Sequence, residues 1–135
     1  MLTASDGYGG LRFGNSVSID GDVIAVGARD ADPVANNAGA CYLYTRSGGA
    51  WSQLPRLQAS DPTLSAHFGD SVAVRGDTLI VGANFANAER GAAYVFRETT
   101  GTWTETTRLL ASDAGFPDSF GDAVDASAAE LRTFS

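Results

Sequence analysis

The fold is decided by one stretch, Phe68-Gly69-Asp70-Ser71-Val72-Ala73-Val74-Arg75-Gly76-Asp77-Thr78-Leu79-Ile80-Val81-Gly82-Ala83. It predicts a β-strand, a tight turn at Arg75-Gly76 and a second strand, because glycine tolerates the positive φ that hairpin turns require. The second strand, Thr78 to Val81, is almost continuously apolar, which is typical of a sheet covered on both faces. The stretch is therefore predicted to be a buried β-hairpin.

The same stretch recurs along the 135-residue chain. Phe13-Gly14 begins an earlier copy 55 residues upstream, and Phe120-Gly121 begins a third copy 52 residues downstream that breaks off. Trp51 and Trp103 also lie 52 residues apart. Several matches in one register indicate a repeat protein in which each repeat is one structural unit.

Each full copy contains four strand signals. After the hairpin, aromatic and branched residues predict a third strand over Cys41 to Thr45 and over Ala93 to Arg97. A polar fourth strand is predicted from Trp51 to Leu57 and from Trp103 to Leu109. Four antiparallel strands repeated about every fifty residues are typical of a β-propeller blade, so the predicted fold class is all-β.

The repeat boundaries divide the chain into about two and a half blades. Blade 1 covers about 13–61, blade 2 about 68–113, and a partial blade 120–127. The tail, 128–135, leaves the repeat pattern, and we expect a short helix or an unrelated end there.

Three motifs carry a family resemblance: Phe68-Gly69, Gly82-Ala83 and Gly91-Ala92-Ala93-Tyr94-Val95-Phe96. In this order they resemble the FG-GAP repeats of integrin α-subunit-type β-propellers, in their short bacterial form. The resemblance extends from about Leu2 to Ala126. It implies a non-enzymatic module that binds a glycan or a protein ligand at one face or at the channel mouth, and a secreted or cell-surface parent protein.

The resemblance to integrin-type blades makes calcium the cofactor to consider. Integrin-type blades carry a calcium loop between the first two strands, but here that connection is only Asp20-Gly21-Asp22 or Arg75-Gly76-Asp77. Two or three residues do not surround calcium with six or more oxygens, so these sites do not carry over and no cofactor is expected. A weak calcium site at Asp30, Asp32 and Asn36 is the alternative, against a polar loop that favours turns.

Composition and net charge narrow the classes of partner that the protein is expected to bind. The net charge is −7, from sixteen acidic residues and nine arginines, which argues against nucleic acid or an anionic membrane. Cys41 is the only cysteine, so the chain forms no internal disulfide. The first residues, Met1 to Asp6, lack the basic start and apolar middle of a signal peptide.

The repeat count predicts self-association. One blade needs a neighbour against each face, and two blades with fragments do not close a ring of four to eight blades. We therefore expect a homo-oligomeric ring, with three chains giving about six blades and terminal strands open to exchange between neighbours.

Candidate site residues follow the Phe-Gly pairs. Asn15, Asp70 and Asp122 occupy the same repeat position, and ring closure would gather them at the mouth of a central channel if the first strands line the axis. The alternative is a turn residue that binds local backbone amides. His67, the only histidine, is with Asp70 a weak catalytic candidate, against an exposed loop residue.

Three functional hypotheses remain open. The first is a non-enzymatic binding or scaffold module that assembles into a ring. The second is a hydrolase or lyase with a site in the central funnel. The third is a designed or fragment propeller without a natural ligand. Trp51 and Trp103 suit either sugar stacking or packing on the outer strand.

Overall fold

The computed structural model describes six segments of the chain, namely 13–29, 39–58, 67–83, 91–109, 123–126 and 131–134. They contain ten strands: β1 (Phe13–Asp20), β2 (Val23–Ala28), β3 (Ala40–Ser47), β4 (Ala50–Gln53), β5 (Phe68–Arg75), β6 (Thr78–Ala83), β7 (Ala92–Thr99), β8 (Thr102–Leu109), β9 (Ala123–Ala126) and β10 (Leu131–Phe134). No helix long and apolar enough to cross a membrane occurs in these segments.

The strands form two four-stranded antiparallel sheets, β1-β2-β3-β4 in blade 1 and β5-β6-β7-β8 in blade 2. Their hairpins share one register, since Ile19 pairs with Ile24 as Val74 pairs with Leu79. The predicted all-β class and blade-like sheets are confirmed. The hairpin turns and the apolar second strands were enough to predict this fold class, because both depend on a few neighbouring residues of the sequence.

The fourth strands differ in length between the blades. β8 pairs with β7 from Thr102 to Leu109, with one register shift between Val95 and Phe96. β4 ends at Gln53, and the chain returns to the sheet only at Leu57, which bridges Cys41. Both strands alternate partly buried and exposed residues, as expected of an outer strand with one wet face.

A third unit follows blade 2. β9 and β10 form a two-stranded antiparallel sheet in which Ala126 pairs with Leu131. This is the register of Val74 and Leu79 in blade 2, so the hairpin continues the repeat where its sequence departs from the pattern. The short helix expected in the tail is wrong for 131–134, which form a strand.

The sheets pack face to face through repeated apolar residues. We call the face of a blade that points to the next blade along the chain its front face, and the opposite one its rear face. The core between the two blades joins the front face of blade 1 to the rear face of blade 2, and its buried residues are Ala25, Cys41, Leu43, Phe68, Val72, Val74, Leu79, Val81, Ala83, Ala92, Tyr94 and Phe96.

The same positions recur in the neighbouring layers. The rear face of blade 1 forms a separate cluster of Val26, Ala28, Ala40, Tyr42 and Tyr44, which are the repeat counterparts of Val81, Ala83, Ala92, Tyr94 and Phe96. The front face of blade 2 forms a third cluster of Ala73, Ile80, Ala93 and Val95. β9 packs on β5 and β6. Each blade therefore presents one type of front face and one type of rear face.

Candidate functional site

Both first strands are bulged directly after their Phe-Gly pair. The pairing register shifts between Phe13 and Ser16 and again between Phe68 and Ser71. Gly69 has a φ of +96°, which glycine adopts without the penalty that a Cβ would impose. The bulge places the next residue, Asn15 or Asp70, at the same end of the two inner strands.

The motif glycines mark where the two blades touch. A Cβ on Gly69 would meet the carbonyl oxygen of Ala40 in blade 1. A Cβ on Gly27 would meet the carbonyl oxygen of Gly69 and the hydroxyl of Ser16. The Phe-Gly and Gly-Ala motifs are therefore required for close approach of one blade's backbone to the next.

Asn15 joins the blades through its side-chain amide. Its Nδ2 donates to the carbonyl oxygens of Gly69 at 3.2 Å and Asp70 at 3.1 Å. Its Oδ1 accepts a hydrogen bond from the backbone N–H of Arg29 at 3.0 Å. The orientation of the amide follows from these partners, since two carbonyls require a donor and one N–H requires an acceptor.

Arg29 completes the contact with an ion pair. Its Nη1 lies 3.0 Å from Oδ1 of Asp70, and the side chains are 32% and 11% exposed. We call Asn15, Arg29 and Asp70 the junction cluster. The carboxylate of Asp70, a channel-mouth candidate from the sequence, is thus paired with an arginine of the preceding blade.

The inner strand of blade 1 adds further polar contacts to blade 2. The Ser16 hydroxyl donates to the Gly69 carbonyl at 2.9 Å, and the Ser18 hydroxyl accepts from the Val74 N–H at 3.0 Å. The Asp20 carboxylate accepts from the Gly76 N–H at 2.6 Å. These bonds occupy backbone groups of β5 and of its turn, and they fix the register between the blades.

Two of the candidate residues predicted from the sequence belong to the junction cluster. Asn15 and Asp70 come together at the junction, each in contact with Arg29. Asp122, and the weak calcium candidates Asp30, Asp32 and Asn36, lie outside the described residues. Convergence of the three Phe-Gly neighbours on a channel stays a prediction.

Sequence reasoning missed Arg29. It follows Gly27-Ala28 directly, whereas the corresponding residue of blade 2 is Asn84. The arginine after the Gly-Ala motif is not repeated in blade 2, so the sequence does not single it out. Its role in the junction is visible only from its distance to Asp70. Among the residues described, no three His, Cys, Asp or Glu side chains are grouped as metal ligands.

His67 occupies a strained position before the bulge. Its φ of +62° is uncommon outside glycine, and its carbonyl oxygen accepts the Asp70 N–H at 2.9 Å. The residue is half-buried and not the exposed loop residue of the simpler interpretation. Its backbone helps to form the turn that presents Asp70.

The two tryptophans pack on core clusters. Trp51 lies against the rear face of blade 1. The guanidinium of Arg46 stacks over its ring, 5.1 Å from the ring centroid. Trp103 lies against the core between the blades and lines an apolar groove of about 160 Å³ with Leu43, Leu54 and Pro55. Packing accounts for both side chains, as the structural interpretation expects.

Cys41 is a buried core residue on the front face of blade 1. Burial raises the pKa of its thiol to about 12, and a hydrogen bond with the Val26 backbone opposes this shift. The thiol is therefore protonated at neutral pH, and neither nucleophilic nor metal-binding chemistry is expected from it.

Comparison with known proteins supports the architecture. The family model of the FG-GAP repeat matches residues 1–44 and 51–96, which is most of blade 1 and of blade 2. A comparison with curated proteins found no match.

Proposed function

The chain belongs to the FG-GAP repeat family, and from this premise we propose that it is a non-enzymatic binding or scaffold module that self-assembles into a closed β-propeller ring. The family and the two blade-like sheets support the propeller-like part of the proposal. Ring closure is supported by a physical argument, namely that blades stacked through one repeated pair of faces leave no face uncovered only when the two ends of the stack meet.

One observation carries the proposal. The rear face of blade 1 is built from the same positions as the rear face of blade 2, which blade 1 covers. The front face of blade 2 is an apolar cluster of Ala73, Ile80, Ala93 and Val95, against which β9 and β10 begin another unit. Both faces therefore have the chemistry of an internal junction between blades.

A structural role for the junction cluster favours binding over catalysis. Asp70 is paired with Arg29, and Asn15 uses both its donor and its acceptor on backbone groups. Ligand recognition would then fall to the loops and to the mouth of the proposed channel rather than to the junction cluster itself. A glycan or a protein is the partner class, because a net charge of −7 disfavours nucleic acid.

A hydrolase or lyase in the central funnel is the second candidate. The positive φ of His67 favours it, since strained backbone is found at catalytic positions more often than elsewhere. Turnover of ester and glycoside substrates by the wild type, lost in His67→Ala and Asp70→Asn, would establish this alternative. Turnover that both variants retain would remove these residues from it.

Solution mass tests the main proposal. Light scattering across a concentration series should give a closed assembly of two or three times the 14.0 kDa of one chain. A stable single chain at every concentration would refute the self-assembled ring. Glycan and protein-ligand arrays probed with the assembled protein then separate a binding module from a scaffold.

A further inference from the structure

The rear face of blade 1 has two uncovered residues on its innermost strand. Val17 and Ile19 are 59% and 61% exposed, and they are the only large apolar side chains exposed to this degree in the described part of the chain. Their repeat counterparts Val72 and Val74 are 8% and 5% exposed. The registers establish the equivalence, because Val17 pairs with Val26 as Val72 pairs with Val81.

The direction of these side chains follows from their neighbours. Ser16 and Ser18 hydrogen-bond to blade 2, so the alternate residues of β1 point to the opposite side. Val17 and Ile19 therefore face the place that a preceding blade would occupy. Two neighbouring branched side chains left in water are unfavourable, and cover by apolar surface removes that penalty.

Most of the same rear face is already covered. Val26, Tyr42 and Tyr44 are buried, as their counterparts in blade 2 are, and Ile24 is partly buried. The strongly exposed side chains thus lie on the innermost strand. A docking partner therefore needs to cover Val17 and Ile19 in the way that blade 1 covers Val72 and Val74.

Blade 1 itself shows what that occupant is. β5, which carries Val72 and Val74, packs chiefly on β1 and β2, the inner pair of strands of the preceding blade. The missing cover for Val17 and Ile19 is therefore an inner pair of strands in the same orientation.

The described part of the chain contains one such pair with no outer strand beside it. β9 and β10 form a two-stranded sheet in the register of β5 and β6. Within the described strands β10 pairs only with β9, whereas its counterparts β2 and β6 pair on both sides. The β9–β10 unit is therefore an inner pair of strands of the kind that would cover Val17 and Ile19.

We propose that β1 is a docking surface for a second copy of this chain, and that Val17 and Ile19 are covered by the β9–β10 unit of that copy. The contact is head-to-tail, so it closes into a ring when the rotation permits. It rests on the proposed self-assembly and specifies its interface.

A cross-link tests the pairing of the two surfaces. Ser18 contacts the backbone of Val74 in the existing junction, and Asp125 of β9 has the register position of Ser18. The double variant Ile19→Cys/Asp125→Cys should therefore form an intermolecular disulfide under mild oxidation. The matched control Ile19→Cys/Thr104→Cys, with its second thiol on outer strand β8, should not. Cys41 does not interfere, because its thiol is buried.

A second variant tests the contribution of the apolar patch. Ile19→Asp places a charge on the patch and should reduce the mass in solution to that of one chain, with the far-ultraviolet circular dichroism unchanged because Ile19 is exposed. Thr104→Asp adds the same charge on the exposed outer strand and should leave the assembly intact.

The two proposals fail in different ways. A wild-type assembly with an unaltered mass in Ile19→Asp and no disulfide in the double variant would overturn this interface and leave the self-assembled ring standing. A wild type that stays a single chain at every concentration would overturn both.

Discussion

The guanidinium of Arg29 lies 3.0 Å from the carboxylate of Asp70, which belongs to the next blade. Arg29 also donates its backbone N–H to Asn15, so one residue directly after β2 contacts both residues that follow the Phe-Gly pairs. The FG-GAP signature in this chain thus has a structural role at the junction between blades.

The ion pair should couple the stability of the two blades. A double-mutant cycle with Arg29→Ala and Asp70→Asn is expected to give a coupling of about 1 kcal/mol, at the upper end for ion pairs that are partly exposed. Urea unfolding at low and high salt measures it. The control pair Arg46 and Asp22 lies within blade 1 with both side chains well exposed, and its cycle should show little coupling. Equal coupling for both pairs would contradict the assignment.

Restoration of the repeat consensus at position 15 should destabilise the protein. The other copies have Asp70 and Asp122 there, but the Nδ2 of Asn15 donates to two carbonyl oxygens. Asn15→Asp replaces that donor by a carboxylate oxygen, which should lower the free energy of unfolding by about 1–3 kcal/mol. Asn15→Ala is the comparison that removes the bonds without adding charge. A variant as stable as the wild type would show that these bonds contribute nothing.

Gly69 and its repeat counterpart Gly14 make a matched pair for backbone approach. Their φ angles are +96° and +90°, but a Cβ on Gly69 would meet the Ala40 carbonyl, while a Cβ on Gly14 would meet nothing within 4 Å. Gly14→Ala should cost about 1–3 kcal/mol, the conformational penalty alone. Gly69→Ala adds the steric conflict and should cost distinctly more in thermal or urea unfolding. Equal costs would show that the blades do not need this contact.

Cys41 predicts a loss of stability at high pH. Burial raises the pKa of its thiol from 9.0 to about 12, so between these values the unfolded chain loses the proton that the folded chain keeps. The contribution is complete below pH 9 and is lost as the pH rises towards 12, by about 1.4 kcal/mol per pH unit.

The control for this prediction comes from the repeat itself. Cys41→Ala introduces the residue that blade 2 has at the corresponding position, Ala93, and removes the ionisable group. Its unfolding free energy should fall less steeply above pH 9, while tyrosine ionisation affects both proteins alike. Parallel pH profiles would refute the raised pKa of the Cys41 thiol.

The local architecture was predictable from the sequence. Gly21 and Gly76 fall in the hairpin turns, and the apolar strand from Leu79 to Val81 is buried on both faces as its composition indicated. The unit that follows blade 2 was the exception. There the pattern from Ser127 onward suggested a helix or an unrelated end, yet Leu131 pairs with Ala126 in the repeat register.

The candidate site was only half predictable. Asn15 and Asp70 could be singled out because they share a repeat position, and the structure brings them together. Arg29 could not, because nothing in blade 2 repeats it. An ion pair between residues 41 positions apart depends on how two sheets pack, which no local pattern encodes.

The repeat, the hairpin turns and the alternation of faces follow from the amino-acid sequence alone, because turn chemistry and strand periodicity act over a few neighbouring residues. Which of these faces is covered depends on how the sheets pack. Val17 and Val72 have the same residue type, strand position and register, yet one is exposed and the other buried. Burial is a property of two surfaces in contact, and the sequence of one surface does not say whether its partner is there.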